Sequence, residues 1–206
     1  MPLSVLIADD HELFRSGLKQ LLIDALGATE VREAETLDQA VERLTNEGAA
    51  DLILVDLRMP GMSGAEALAA LRDGFPSAKL AVVSASEDRN EILSSLAAGA
   101  HGFVPKSLGS NEIADALRAV LEGQIFAPVA LARREPSEPG QKAVCGEGLT
   151  ARQREVLSAL VKGRSSKEIA RALSIAEGTV KIHLAAIYRS LDVRTRAEAI
   201  AKLSGR

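Results

Sequence analysis

Five polar side chains stand where short apolar runs end. Asp9 and Asp10 close the run that begins at Ser4, Asp56 closes Leu52–Asp56, Ser84 closes Leu80–Ser84, and Lys106 follows Gly102–Val104. If these runs are strands of one sheet, their ends converge and three carboxylates meet at one edge. Clustered carboxylates repel one another and call for a cation, and hard oxygen ligands with open positions suit Mg²⁺. A hydroxyl from Ser84 and an ammonium from Lys106 on the same edge would complete a phosphate cradle, one by hydrogen bonding and the other as a point charge. Taken singly, each Asp is better explained as a helix cap or a solvated turn. The set of five in this order is what points to phosphoryl chemistry.

The elements that must position these groups follow from periodicity. A further apolar run covers Val31–Ala34, and helical spacing appears at Glu12–Leu26, Leu37–Thr45, Gly64–Arg72, Asp88–Ala98 and Asn111–Glu122. Five strands alternating with five helices predict an α/β domain, a doubly wound five-stranded parallel sheet. Ligands of such sheets bind beyond the carboxyl ends of the strands, which is where the five polar residues fall.

Composition bounds the alternatives. No apolar run reaches the roughly 18–20 residues of a membrane span, and the start, Met-Pro-Leu-Ser leading directly into an apolar strand, lacks the marks of a secretory signal. A cytoplasmic location is expected. Cys145 is the only cysteine, which excludes an intrachain disulfide and a cysteine-built metal site. Charge is uneven: residues 1–125 carry 10 Lys+Arg against 20 Asp+Glu, net −10, whereas residues 146–206 carry 12 against 6, net +6. An acidic front and a basic back suggest two domains with different partners.

We divide the chain into 1–123, a linker over 124–148, and 149–206. The linker contains Arg133-Arg134-Glu135-Pro136-Ser137-Glu138-Pro139-Gly140 and lacks periodicity. The last part is all-α: Thr150 with Gln153, Ser165 with Glu168, and Thr195 with Glu198 form capping boxes, and four helices are expected at about 151–162, 166–173, 177–191 and 196–203. In the third, Val180, Leu184, Ile187 and Leu191 make an inward stripe. The opposite face carries Lys181, Ile182, Ala185 and Arg189, and an exposed Ile among basic residues suits a thymine methyl in a major groove. Lys181 would reach a base or a phosphate, Thr179 at the helix N-terminus a phosphate, and Arg164 and Lys167 phosphates as well. His183 is expected to pack against a neighbouring helix rather than touch DNA. Ala176 stands where a Ser or Thr would cap the helix, a loss of about 1 kcal/mol.

Residues 3–123, with Asp9-Asp10, Asp56, Ser84 and Lys106 at successive strand ends, resemble the flavodoxin-like receiver domains of two-component response regulators. Leu149-Thr150-Ala151-Arg152-Gln153-Arg154-Glu155-Val156-Leu157, Ser166-Lys167-Glu168-Ile169-Ala170 and Gly178-Thr179-Val180-Lys181-Ile182-His183 resemble a LuxR-type helix-turn-helix domain. Together the chain is similar to the NarL/FixJ family. The resemblance implies that Asp56 accepts a phosphoryl group from a sensor histidine kinase. It implies that Asp10, Asp56 and the backbone carbonyl of Arg58 hold Mg²⁺ directly while Asp9 acts through water. It also implies that Ser84 and Lys106 bind the aspartyl phosphate, and that Phe103 turns inward as Ser84 moves.

The function expected is therefore a regulator that dimerises when phosphorylated and binds double-stranded promoter DNA, not an enzyme beyond slow autodephosphorylation, with no small-molecule ligand. A receiver-based protein-interaction module, or a regulator working without phosphorylation, is the alternative. A haloacid-dehalogenase-type hydrolase needs a second Asp where Arg58 stands, and a LuxR-type sensor of a diffusible ligand would carry a pocket in place of the acidic site. The opposed charges of the two parts allow the unphosphorylated form to fold back and shield Lys181. Phosphorylation is then expected to alter the surface near the fourth strand and fifth helix and favour a receiver dimer.

Overall fold

The computed structural model describes residues 2–128, 149–193 and 195–203. Five strands, β1 (Leu3–Ala8), β2 (Ala28–Ala34), β3 (Leu52–Val55), β4 (Lys79–Ser84) and β5 (Gly102–Pro105), alternate with α1 (Glu12–Leu26), α2 (Leu37–Asn46), α3 (Ala65–Gly74), α4 (Arg89–Ala97) and α5 (Ser110–Leu121). All pairings are parallel and the order is β2-β1-β3-β4-β5. The chain reverses direction across the sheet between β1 and β3, so a crevice opens at their carboxyl ends.

Both faces of the sheet are covered, which is why its central strands read as continuous apolar runs. Leu6 and Ala8 of β1 face a core shared with α2, α3 and α4, including Leu37, Val41, Leu68, Leu71 and Ile92. Val5 and Ile7 face α1 and α5 through Leu18, Leu22, Ile113 and Leu117. The expected elements are present, with one shift: β2 starts at Ala28, ahead of the Val31 expected from the apolar run. Thr29 and Glu30 are exposed at the sheet edge, where pairing with β1 needs no apolar side chain.

Within the stretch read as linker, Phe126 runs beside β5. It accepts from the Phe103 N–H at 2.9 Å and donates to the His101 carbonyl at 3.0 Å. Gly102 permits this approach, since a Cβ there would lie 2.7 Å from Val120 Cγ2 and 3.5 Å from Phe126 Cβ. Residues 129–148, with the Pro/Arg-rich segment and Cys145, lie outside the described residues.

The C-terminal part is α6 (Ala151–Val161), α7 (Ser166–Leu173), α8 (Glu177–Ser190) and α9 (Arg196–Leu203). Val156, Leu160, Ile169, Val180, Leu184, Ile187 and Ala199 form its core. Thr150 and Ser165 each close a reciprocal capping box with Gln153 and Glu168, and Thr195 Oγ1 accepts from the Glu198 N–H. The inward stripe of α8 is as expected, with Leu191 packed at its margin.

Candidate functional site

β1 and β3 deliver their first polar residues into the crevice. Asp9 and Asp56 are each only 2% exposed, and Asp10 is exposed at the rim. Lys106, just past β5, extends its ammonium to Asp9 Oδ2 at 2.6 Å and Asp56 Oδ2 at 2.8 Å. A buried carboxylate pair without a counter-charge would cost several kcal/mol, so Lys106 lets these two sit side by side. Its ammonium also lies over Phe14, with Nζ 4.7 Å from the ring centre. The Arg58 N–H donates to Asp56 Oδ1 at 3.2 Å, and the Arg58 guanidinium reaches Glu91 on α4. Asp9, Asp10, Asp56 and His11 bring four ligand atoms within 4.8 Å of one another, a cluster that could hold a metal ion.

Ser84 closes β4 on the same edge. It is fully buried, its hydroxyl accepts from the Ser86 N–H at 3.2 Å, and its carbonyl accepts from the Lys106 N–H at 2.8 Å. Phe103 is also fully buried, in the core toward α3 and α4. Here the ring lies inward, packed against apolar neighbours.

Two residues of this region escaped sequence reasoning. His11 places Nδ1 2.9 Å from Asp10 Oδ1 and 3.2 Å from Asp9 Oδ1. Arg15 is buried on α1, donates to the Asp9 carbonyl at 2.7 Å and pairs with Glu33 and Glu35. His11 directly follows the Asp pair, a signal that was there to use. Arg15 reaches β2, which no local pattern reveals.

The second expected site lies on α8, and the structure turns it toward the sheet domain. Lys181 Nζ pairs with Asp38 Oδ2 of α2 at 2.6 Å. Thr179 is buried, with its hydroxyl 3.1 Å from that of Ser63. Arg189 donates to the Gly74 carbonyl and lies over the Phe75 ring, 4.7 Å from its centre. Arg152 of α6 reaches Glu66 of α3 at 3.0 Å. Ile182, expected to be exposed, is 0% exposed and belongs to the apolar cluster of the sheet domain. The correction has a simple cause: an apolar side chain on an outer face is covered by whatever apolar surface adjoins it, here Gly74, whose Cβ position lies 3.1 Å from Ile182 Cγ2. Gly178 allows equally close contact with Leu37 and the Gly61 carbonyl. Arg164 and Lys167 remain exposed at the α7 end. His183 is buried as expected, and burial followed by the neighbouring Arg152 charge pushes its imidazole below the ordinary value.

Comparison with known proteins agrees with this two-part reading. The profile of the response regulator receiver domain matches residues 5–118, and that of bacterial regulatory proteins of the luxR family matches residues 147–203. The chain is 38% identical over 204 residues to the glycerol metabolism activator of Pseudomonas putida, covering 95% of this chain and 92% of that one. It is 34% identical over 203 residues to the nitrate/nitrite response regulator protein NarL of Escherichia coli K12, covering 96% and 93%. Among solved structures, a LuxR family DNA-binding response regulator from Silicibacter pomeroyi superposes with a TM-score of 0.55 at 37% identity, covering 62% of this chain and 98% of that one. With a receiver sheet bearing an acidic crevice and a LuxR-type helix-turn-helix behind it, the chain belongs to the NarL/FixJ family of response regulators, which regulate transcription by binding DNA.

Proposed function

We propose that this protein is a phosphorylation-gated transcription regulator whose unphosphorylated form hides its DNA-reading helix against its own receiver. Residues 1–123 act as the receiver, 124–148 as the connecting segment and 149–206 as the DNA-binding domain. The observation that carries the reading is Lys106 bridging buried Asp9 and Asp56 at the sheet's carboxyl edge, in the same molecule whose Lys181 and Thr179 are engaged by receiver residues.

Asp56 is the nucleophile: a carboxylate oxygen takes the phosphoryl group from a phosphohistidine of a sensor kinase, the P–N bond breaks, and an acyl phosphate forms. The all-oxygen set of Asp10, Asp56 and the Arg58 carbonyl, with Asp9 through water, fits Mg²⁺. When bound, the ion would neutralise charge on the transferring group. Lys106 then exchanges a carboxylate oxygen of Asp56 for a phosphate oxygen, and Ser84 turns its hydroxyl from the Ser86 N–H toward the same group.

The closed arrangement has the right strength to be a switch. Exposed pairs such as Lys181–Asp38 and Arg152–Glu66 contribute about 0–1 kcal/mol each, and full burial of one Ile side chain roughly 1.5–3 kcal/mol. A total of a few kcal/mol is what a covalent modification can overturn. Freed, Lys181, Ile182 and Arg189 face the major groove, Thr179, Arg164 and Lys167 the phosphates, and two copies occupy half-sites about 10 bp apart.

Intact-mass measurement tests the chemistry. With Mg²⁺ and a small acyl-phosphate donor, wild type gains one phosphoryl group and Asp56→Asn gains none. Labelling that persists in Asp56→Asn removes the assignment.

A further inference from the structure

Two cations stand beside Asp56, and carboxylates already hold both. Lys106 is divided between Asp9 and Asp56. Arg58, two residues beyond Asp56, has a side chain 63% exposed, and its Nη2 lies 2.5 Å from Glu91 Oε1 in the first turn of α4. Glu91 is a fixed partner. Its N–H donates to Asp88 Oδ1, which caps the helix, and its carbonyl accepts from the Ser95 hydroxyl. Its second carboxylate oxygen, Oε2, is buried with no hydrogen-bond partner among the described residues. The Arg58 N–H meets Asp56 Oδ1 at 3.2 Å, so this long side chain starts at the acceptor while Glu91 holds its charged end on α4. The surrounding loops add the exposed carboxylates of Asp10, Glu87 and Asp88 against Arg89.

A phosphoryl donor is itself anionic, and a guanidinium matches phosphate oxygens in pairs. We propose that Glu91 is a specificity-determining residue for the phosphoryl donor, an inference that rests on Asp56 as the phosphoacceptor. By holding the Arg58 guanidinium, Glu91 denies small free acyl phosphates a cation at the mouth of the crevice. A protein donor brings contacts remote from the reacting group and can use them to position it. A free acyl phosphate has little besides its charge to bind with, so the Arg58–Glu91 clasp weighs against it most.

Intact-mass time courses on the full-length protein with Mg²⁺ test this, using acetyl phosphate as the free donor and phosphoramidate as a less negatively charged one. Glu91→Gln keeps the side chain's shape and removes its charge. It is expected to speed initial uptake from acetyl phosphate about three- to tenfold over wild type. The gain should be smaller with phosphoramidate and should shrink as salt rises toward about 1 M, where exposed charges are screened within roughly 3 Å. Arg58→Ala, which keeps the backbone carbonyl, should be no faster than wild type, and adding Glu91→Gln to it should bring no gain. Uptake that is unchanged or slower in Glu91→Gln overturns the role of Glu91, and so does an equal gain with and without Arg58. An equal gain with both donors overturns it too, because loosening of α4 rather than charge would then be the cause. Label accepted by Asp56→Asn at the wild-type rate removes the phosphoacceptor itself, whereas its absence there leaves Asp56 in place whatever Glu91 does.

Discussion

Lys106 carries the balance of charge in the crevice. It is the ammonium between Asp9 and Asp56, and Asp10 adds a third carboxylate at the rim. A divalent ion that binds the folded form alone must stabilise it by mass action, about 2.7 kcal/mol at a hundredfold excess over Kd. Saturating Mg²⁺ is accordingly expected to raise the thermal midpoint of wild type by several degrees, and Asp10→Asn is expected to lose most of that rise. Scanning calorimetry across MgCl₂ concentrations measures it, and an equal rise in both proteins would place the ion elsewhere. At this scale the sequence was informative. The residue types and their positions at strand ends named Asp9, Asp10, Asp56 and Lys106 before any coordinates, because strand ends on one parallel sheet must converge. Ser84 sits on the expected edge with its hydroxyl turned to Ser86, and a rotamer is set by local hydrogen bonding that spacing does not encode.

Among the elements, α8 lacks the side-chain cap that begins α6 and α7. Its N-cap, Ala176, has extended backbone and gives no side-chain cap. Ala176→Ser should stabilise the DNA-binding part by about 1 kcal/mol, seen as a higher midpoint in denaturant with an unchanged slope; no gain would mean that first-turn N–H groups already find partners. His183, on the same helix, adds a pH dependence. Its ring is buried, neither nitrogen has a hydrogen-bond partner among the described residues, and desolvation, then Arg152, hold its pKa below 6.5, with Glu66 opposing. The unfolded chain then binds the proton more readily, so the stabilisation is complete above 6.5 and is lost as pH falls toward the folded-state value. Thermal melts between pH 7.5 and 5.5 should show a steeper loss for wild type than for His183→Asn, and parallel losses would contradict it. Helical periodicity made the inward stripe of α8 legible. The fate of Ile182 was not, since periodicity says which face is apolar and not which neighbour covers it.

At the scale of the whole molecule, the opposed charges of the two parts appear as the pairs Lys181–Asp38 and Arg152–Glu66. Charge asymmetry anticipated that Lys181 could meet an acidic side chain of the receiver, while Ser63, Gly74 and Phe75 as partners came only from the fold, because they lie more than a hundred residues away in sequence from the side chains they meet. In this structure α8 and the acidic edge of the receiver are connected through α3 and the β3–α3 loop that carries Arg58 and Ser63. Hydrogen exchange of the full-length protein, read by mass spectrometry with and without Mg²⁺ and a small acyl phosphate, tests this link without needing a known operator. Phosphorylation is predicted to reduce protection together in peptides spanning 60–75 and 177–190, with no change in Asp56→Asn. Protection at both segments that stays the same in fully phosphorylated wild type would contradict a receiver that releases the recognition helix.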